Sequence, residues 1–285
     1  AQKAKKIVVD VDEAELNKNN SVTIDLKINM DLKDFFKIIK NFSYKKKDYS
    51  KWIDRFKYWK NKYPICLPEY YNQNEKVNPY VFMKELSEQT GENDVLIPDA
   101  SANLIWAMQS FKINGQKLFT AFNHSPMGYS MAATIGAYLA NQSKNVICTI
   151  GDGSMQMNIQ ELEVISYHKL PVKIFVINNE GYGLIKQTQE TWLNSNIVGV
   201  DENSGLGMPD LQRIGKAYDL EVCEINNHSE LKEKIAYVIK SEKPILCDVK
   251  VKTSQRVVPK IDFGKPIHDM SPLLDEEELK SNMID

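Results

Sequence analysis

From about residue 80 onwards, short apolar runs alternate with segments whose apolar residues recur at helical spacing. The apolar runs have the length and composition of buried strands: Val95–Pro98, Val146–Ile150, Val172–Ile177, Leu220–Ile225 and Ile245–Val251. The intervening segments are predicted helices: Tyr80–Thr90, Met131–Ala140, Ile159–His168, Leu184–Thr188, Pro209–Ala217 and Ser229–Ile239. This alternation predicts an α/β fold with a parallel sheet flanked by helices.

The first 62 residues have their own pattern and a different charge. They contain 16 Lys or Arg against 9 Asp or Glu, which is typical of a solvated face. Their predicted elements are the strands Ile7–Asp12 and Val22–Ile28 and the helices Leu32–Ile39 and Tyr49–Lys62. In the following segment, 63–79, Pro64, Pro68 and Pro79 resist helix formation. The predicted organisation is part of a second α/β domain over 1–62, a linker over 63–79, a main domain over 80–260 and an acidic tail over 261–285.

Composition narrows the class of protein. A net charge of −2 argues against a nucleic-acid partner, because binding a phosphate backbone needs a strongly basic surface. No apolar run approaches the roughly 18 residues that span a bilayer, so we expect no membrane partner. The cysteines have neither Cys-x-x-Cys nor zinc spacing: Cys66, Cys148, Cys223 and Cys247. We interpret them as reduced, buried thiols of a cytoplasmic protein.

Polar residues follow two of the predicted strands at the point where each strand ends. Gly151-Asp152-Gly153-Ser154 comes after Val146–Ile150, and Asn178-Asn179 comes after Val172–Ile177. In a parallel sheet both ends meet at the edge where open α/β sheets bind ligands. A carboxylate, an amide oxygen and a main-chain carbonyl leave a hard cation room for phosphate oxygens, and glycines let backbone amides approach a phosphate. Either motif alone is more often a turn, but the pair, joined by one crossover, predicts a cation and phosphate site.

At this point the chain resembles a known family. Gly151-Asp152-Gly153, the run Met157–Leu162 and Asn178-Asn179 are similar to the diphosphate and metal motif of thiamine-diphosphate-dependent enzymes. The closest resemblance is to acetolactate synthase-like 2-oxoacid carboligases, over about residues 75 to 260 and more weakly at both ends. The motif is specific for the cofactor and not for the substrate.

The resemblance implies a role for each matching residue. The implied Mg²⁺ ligands are the side chains of Asp152 and Asn179 and the main-chain oxygen of Gly181. The residues implied to contact the diphosphate or to close the loop over it are Gly151, Gly153, Ser154, Tyr182 and Gly183. In the turn after Val95–Pro98, Ser101 or Asn103 would contact the diphosphate, or would instead cap the following helix.

A second segment, His124–Tyr129, matches the place where the family wedges a large apolar residue beneath the cofactor. Met127 matches that residue, and the bend it imposes would let the cofactor generate its own C2 carbanion. Core filling is the alternative for Met127, although its place just before Gly128 favours the wedge. Ser125 would offer its carbonyl to the cofactor amino group. His124 would be an acid or base, or a structural residue.

The implied function is that of a thiamine-diphosphate- and Mg²⁺-dependent decarboxylase and carboligase. It would add the carbanion to a 2-oxoacid, release carbon dioxide and transfer an acyl-anion equivalent. Acetolactate synthases carry a Trp where this chain has Thr188, so Lys186 or Gln187 could instead contact the substrate. Two alternatives stay open: a decarboxylase or lyase acting on another substrate, such as a modified sugar, and a noncatalytic subunit with the cofactor fold.

The family takes an activating glutamate from a pyrimidine-binding domain, and no segment of this chain resembles that domain. We therefore expect this chain alone to be inactive: either it is a truncated or cleaved portion of a longer chain, or the pyrimidine-binding domain is a separate polypeptide. The active form would be a homo-oligomer, either a dimer or a tetramer, or a complex with a partner chain that supplies the domain. Some relatives also bind FAD in the region matching residues 1–62, where Asp10 and Asp31 fall near the contacts, so FAD is a second candidate cofactor.

Overall fold

The computed structural model describes residues 4–18, 22–45, 47–141, 144–261, 264–272 and 274–283. The remaining positions of the predicted domains and of the predicted tail lie outside the described residues. The chain divides into two units, Ala1–Tyr63 and Pro64–Asp285.

The described residues of the first unit form two parallel strands and three helices. Its elements are β1 (Ile7–Asp10), α1 (Glu13–Asn17), β2 (Leu26–Asn29), α2 (Leu32–Ile39) and α3 (Ser50–Lys62). The second strand begins at Leu26 and not at Val22. Helix α1 is short and polar, so periodicity does not reveal it; the side chain of Asp12 caps it by accepting from the amide of Ala14 at 2.8 Å.

The two acidic residues considered for FAD both serve the local backbone. Asp10 accepts a hydrogen bond from the amide of Asp12 at 2.8 Å. Asp31 accepts from the amide of Lys33 at 2.7 Å and caps α2. Each carboxylate is therefore explained by the turn or helix beside it.

The second unit is built on a six-stranded parallel sheet with the order β4-β3-β5-β6-β8-β7. Its strands are β3 (Asp94–Pro98), β4 (Lys117–Leu118), β5 (Asn145–Gly151), β6 (Lys173–Asn178), β7 (Glu221–Ile225) and β8 (Ile245–Lys250). Its helices are α4 (Pro68–Tyr71), α5 (Pro79–Glu88), α6 (Ser101–Ser110), α7 (Tyr129–Ala140), α8 (Asp152–Met155), α9 (Glu161–Tyr167), α10 (Gly183–Trp192), α11 (Leu211–Ala217), α12 (Leu231–Lys240) and α13 (Glu276–Asn282). The small strands β9 (Lys260–Ile261) and β10 (Met270–Ser271) pair antiparallel. The predicted α/β fold with a parallel sheet flanked by helices is confirmed.

Helices cover both faces of this sheet. Because successive strand residues point to opposite faces, Phe175 of β6 packs with α5, α6 and α12, whereas Ile174 packs with α7, α9 and α11. Both residues are fully buried. Strands that are buried on both faces are apolar throughout, which is why the sequence pattern locates them.

The remaining elements differ from the prediction in identifiable ways. Helix α4 lies in the predicted linker and begins at Pro68, where the missing N–H is tolerated. Helix α10 continues past Thr188 to Trp192, and α13 lies in the predicted tail. All the cysteines are free, but Cys66 and Cys223 are only half-buried. In the described ranges, no helix combines the length and apolar content needed to cross a membrane.

Candidate functional site

The carboxyl ends of β5 and β6 open into a cleft with a cavity volume of about 70 Å³. The strand register pairs Gly151 with Ile177, so the residues that follow the two strands lie side by side. The cleft is lined by most of the predicted site residues: Ser101, Asn103, Met127, Gly151, Asp152, Gly153, Ser154, Asn179, Gly181, Tyr182 and Gly183. His124 is exposed and Ser125 half-buried, and neither lines this cleft.

Three oxygen-bearing groups converge in the cleft. The side-chain amide atom of Asn179 that faces them lies 3.3 Å from Oδ1 of Asp152 and 2.9 Å from the main-chain oxygen of Gly181. With the carboxamide oxygen at that position, three acceptors face one another; with the amide turned over, its NH₂ donates to both. A cation between the oxygens would stabilise the first orientation, since carboxylate, amide and carbonyl oxygens are the ligands of hard cations.

The carboxylate of Asp152 is buried, with 2% of its surface exposed. It accepts hydrogen bonds from the amides of Gly153 at 2.8 Å and Gly181 at 3.0 Å. Burial raises the pKa of Asp152 to about 7; the negative charge of Asp248 adds to the rise, and the backbone hydrogen bonds oppose it. Within the described residues, no three His, Cys, Asp or Glu side chains cluster as a metal site. This site has a single carboxylate, and a cation would offset the free energy of its burial.

Close packing around the side chains of Asp152 and Asn179 requires glycine at positions 153 and 181. A Cβ atom on Gly181 would lie 2.1 Å from the main-chain oxygen of Val200, and one on Gly153 would lie 2.3 Å from the ring of Tyr182. The amide of Tyr182 donates to that same oxygen of Val200 at 2.9 Å. The loop after β6 is therefore held between β5 and the segment around Val200, with no room for a side chain at Gly153 or Gly181.

The turn that carries Met127 is fixed by Asp99, a residue that sequence reasoning missed. Asp99 follows β3 and is fully buried. Its carboxylate accepts hydrogen bonds from the amides of Gly128 at 3.0 Å and Ser130 at 2.9 Å, which caps α7 from a different strand. Gly128 has a φ of 87°, in the left-handed region that favours glycine. The available signal was an acidic residue directly after an apolar strand, the same arrangement as at Asp152.

Neither Ser101 nor Asn103 caps helix α6, so that alternative is wrong. The capping position is Ala100, which makes no side-chain hydrogen bond. The side-chain NH₂ of Asn103 donates to the main-chain oxygen of Thr149 at 2.7 Å and ties α6 to β5. Its Oδ1 is buried without a hydrogen-bond partner among the described residues, so Asn103 presents an acceptor.

Lys186 and Gln187, the two residues expected to contact the substrate, each have a partner within the protein, and the substrate contact stays a prediction. Nζ of Lys186 lies 2.6 Å from Oδ2 of Asp201. Gln187 is buried, and its amide donates to the main-chain oxygen of Val257 at 3.1 Å and accepts from its nitrogen at 3.0 Å. Both side chains therefore fix loops around α10.

Comparison with known proteins agrees with this geometry. Residues 99–249 match the thiamine pyrophosphate enzyme, C-terminal TPP binding domain. The chain is 31% identical over 268 residues to the acetolactate synthase large subunit of Cyanidium caldarium, covering 92% of this chain and 44% of that protein. It is 30% identical over 281 residues to the large subunit of Lactococcus lactis subsp. lactis (strain IL1403), covering 96% and 47%. For chloroplastic acetolactate synthase 1 of Zea mays the identity is 29% over 279 residues, covering 95% and 43%.

The chain thus spans less than half the length of these relatives. The segment that matches the family begins at Asp99 and ends on β8, so it contains the cleft and both strands that carry its oxygen donors. The chain belongs to the thiamine pyrophosphate enzymes, and its second unit carries their C-terminal TPP-binding domain.

Proposed function

We propose that this chain is the cofactor-binding part of a thiamine-diphosphate- and Mg²⁺-dependent 2-oxoacid decarboxylase and carboligase, of the acetolactate synthase type. The observation that carries the proposal is the convergence of the Asp152 carboxylate, the Asn179 side-chain amide and the Gly181 main-chain carbonyl in the cleft. The similarity to acetolactate synthase large subunits supports a 2-oxoacid as the substrate.

The donor set fits Mg²⁺. The carboxylate of Asp152, the amide oxygen of Asn179 and the carbonyl of Gly181 would occupy one side of the ion, leaving positions for diphosphate oxygens and water. Ser154 lines the cleft beside them, and Gly153 has no side chain to obstruct an anionic group. Because the Gly153 amide already donates to Asp152, its contribution is to hold the carboxylate in place.

Thiamine diphosphate, when bound, supplies the nucleophilic carbon and the electron sink that allow a 2-oxoacid to lose carbon dioxide. The residues of this chain bind and orient it. Met127, half-buried on the cleft wall and held through Asp99, would provide the apolar surface that orients the cofactor. Ser125 and His124 lie on the same turn. In the assembled enzyme, the carbonyl of Ser125 would accept from the cofactor amino group, and His124 would be an acid or base.

We also propose that the active enzyme is an oligomer that contains a pyrimidine-binding domain in addition to this chain, either as another part of a longer polypeptide or as a partner chain. The chain covers 44% of the Cyanidium caldarium protein, so most of that relative has no counterpart here. The described chain should bind the cofactor and leave a 2-oxoacid unchanged on its own.

Calorimetric titration with thiamine diphosphate, in Mg²⁺ or in EDTA, tests the proposal. We expect Mg²⁺-dependent binding that Asp152→Ala abolishes. The matched control is Asp94→Ala, which removes a buried carboxylate that accepts from the amide of Gly91 and the side chain of Asn145 at the other end of the sheet. Unchanged affinity in Asp152→Ala would contradict the metal assignment. Cofactor binding without pyruvate turnover in the assembled enzyme would favour a noncatalytic subunit.

A further inference from the structure

Asp248 is a fully buried carboxylate beside the site that the proposed function does not use. It lies on β8, directly opposite Val176 of β6. Its Oδ1 accepts a hydrogen bond from Nδ2 of Asn178 at 3.0 Å, and its Oδ2 lies 2.6 Å from Nζ of Lys250. A buried charge is unfavourable unless it is paired and hydrogen-bonded, and each oxygen of Asp248 has such a partner.

The contact with Asp248 fixes the orientation of the Asn178 amide. Because the NH₂ group donates to Asp248, the amide oxygen faces the loop, where it accepts a hydrogen bond from the backbone N–H of Glu180 at 3.2 Å. Asn178 is buried, with 6% of its surface exposed. The amide can satisfy both partners in this orientation only, since turning it over would place its donors against the N–H of Glu180.

Glu180 is the residue on which this contact acts. Its φ of 61° lies in the left-handed region that residues other than glycine adopt rarely. Its carboxylate is 2.8 Å from Nζ of Lys76, so the residue is held at both its backbone and its side chain. Glu180 separates Asn179 from Gly181, which provide two of the three groups that converge in the cleft. A change in the backbone of Glu180 would move both the side chain of Asn179 and the carbonyl of Gly181.

We propose that Asp248 and Asn178 are positioning residues for the loop that carries Asn179 and Gly181. The carboxylate of Asp248 sets the amide of Asn178, and the oxygen of that amide holds the N–H of Glu180. The bound cation in this inference rests on the proposed function, whereas the position of the loop is a property of the ligand-free chain.

Exchanging the two side chains provides the test. In Asn178→Asp a second carboxylate faces Asp248, and in Asp248→Asn two amide groups compete to donate. In the double variant Asp248→Asn/Asn178→Asp, the amide at position 248 donates to the carboxylate at position 178, whose second oxygen accepts from Glu180. The oxygen of the same amide at position 248 accepts from Lys250. The exchange therefore restores each hydrogen bond of the original arrangement, with the negative charge moved from position 248 to position 178.

Two measurements are made on each variant. The first is hydrogen exchange of the peptide covering residues 178–183 in the protein without ligands. The second is the affinity for Mn²⁺ in the presence of thiamine diphosphate. We expect each single variant to exchange faster in this peptide and to bind Mn²⁺ about 10- to 100-fold more weakly, as is typical for residues that support metal ligands. The double variant should recover more than half of the lost affinity on a logarithmic scale.

Asp94→Asn is the matched control, because Asp94 is also buried and also accepts from an asparagine side chain, that of Asn145 at 2.9 Å. It should change overall stability without changing loop exchange or Mn²⁺ affinity. If Asn178→Asp does not fold, Asn178→Ala removes the amide alone and replaces it in the comparison.

Single variants with wild-type exchange and wild-type Mn²⁺ affinity would overturn the inference. So would a double variant as impaired as the single ones, because general destabilisation would then account for both. If the wild-type protein binds no Mn²⁺ with thiamine diphosphate, the proposed function fails. In that case the exchange rates alone decide whether Asp248 and Asn178 position the loop.

Discussion

Replacing Asp152 by asparagine should stabilise the ligand-free protein while removing its cation-dependent binding. Burial raises the pKa of Asp152 from 3.8 to about 7. A difference of about three units, at about 1.4 kcal/mol each, makes the ionised form unfavourable in the folded protein by about 4 kcal/mol. Asparagine keeps an oxygen that can accept from the amide of Gly153 or Gly181 and carries no charge.

The sign of the pH dependence follows from the direction of this pKa shift. Because the folded pKa lies above the unfolded one, the stabilising contribution of Asp152 is fully present below pH 3.8 and is lost as the pH rises through about 7. The advantage of Asp152→Asn over wild type should therefore approach about 4 kcal/mol above pH 8 and shrink as the pH falls to 5.

Urea unfolding at several pH values, with a chelator present, measures this difference, provided that both proteins have the same m value. Repeating the series with Mg²⁺ and thiamine diphosphate should stabilise the wild type by mass action and leave Asp152→Asn unchanged. The control Asp94→Asn should keep the full ligand-dependent gain. An Asp152→Asn protein that is less stable than wild type at pH 8, or a difference that does not vary with pH, would refute the reasoning.

Two further predictions concern the loop and the start of α5. Gly181→Ala would place a Cβ atom 2.1 Å from the oxygen of Val200, so calorimetry should show weakened Mg²⁺-dependent cofactor binding, whereas Gly207→Ala meets no atom within 4 Å and should bind normally. His228 accepts a hydrogen bond from the amide of Asn78 at 2.8 Å through Nε2, and burial lowers its pKa. The contribution of His228 to the free energy of unfolding should therefore be present above pH 6.5 and lost as the pH falls through its lower pKa in the folded protein. Urea midpoints of His228→Gln should vary less between pH 7 and 5; an equal variation would contradict this role.

The central part of the fold and the placement of Asp152 and Asn179 at one edge of the sheet were predictable from the sequence. Asp152 and Asn179 each follow a continuous apolar strand, and parallel neighbours bring such positions to one edge. The same property makes β5 and β6 easy to recognise, since strands buried on both faces have no polar interruption. Local sequence therefore encoded both the strand and the residue that stands at its end.

Contacts between distant residues could not be predicted in this way. Asp99 caps a turn 29 residues away, and Asn178 meets Asp248 across 70 residues, so no local pattern records either pair. Strand β4, Lys117–Leu118, is too short to show periodicity. Helix α13 follows its cap, Asp275, and has no apolar stripe, so its composition indicated only an acidic tail.

The two strands that lead into the cleft are the two innermost strands of the sheet, each hydrogen-bonded to a neighbour on both sides. Fraying that begins at β4 or β7 reaches the junction between β5 and β6 last. A molecule bound across that junction adds its binding free energy where the sheet is already hardest to open. Saturating this junction with the bound molecule would therefore slow unfolding of the whole unit. The outermost strands, β4 and β7, would fray as freely as before.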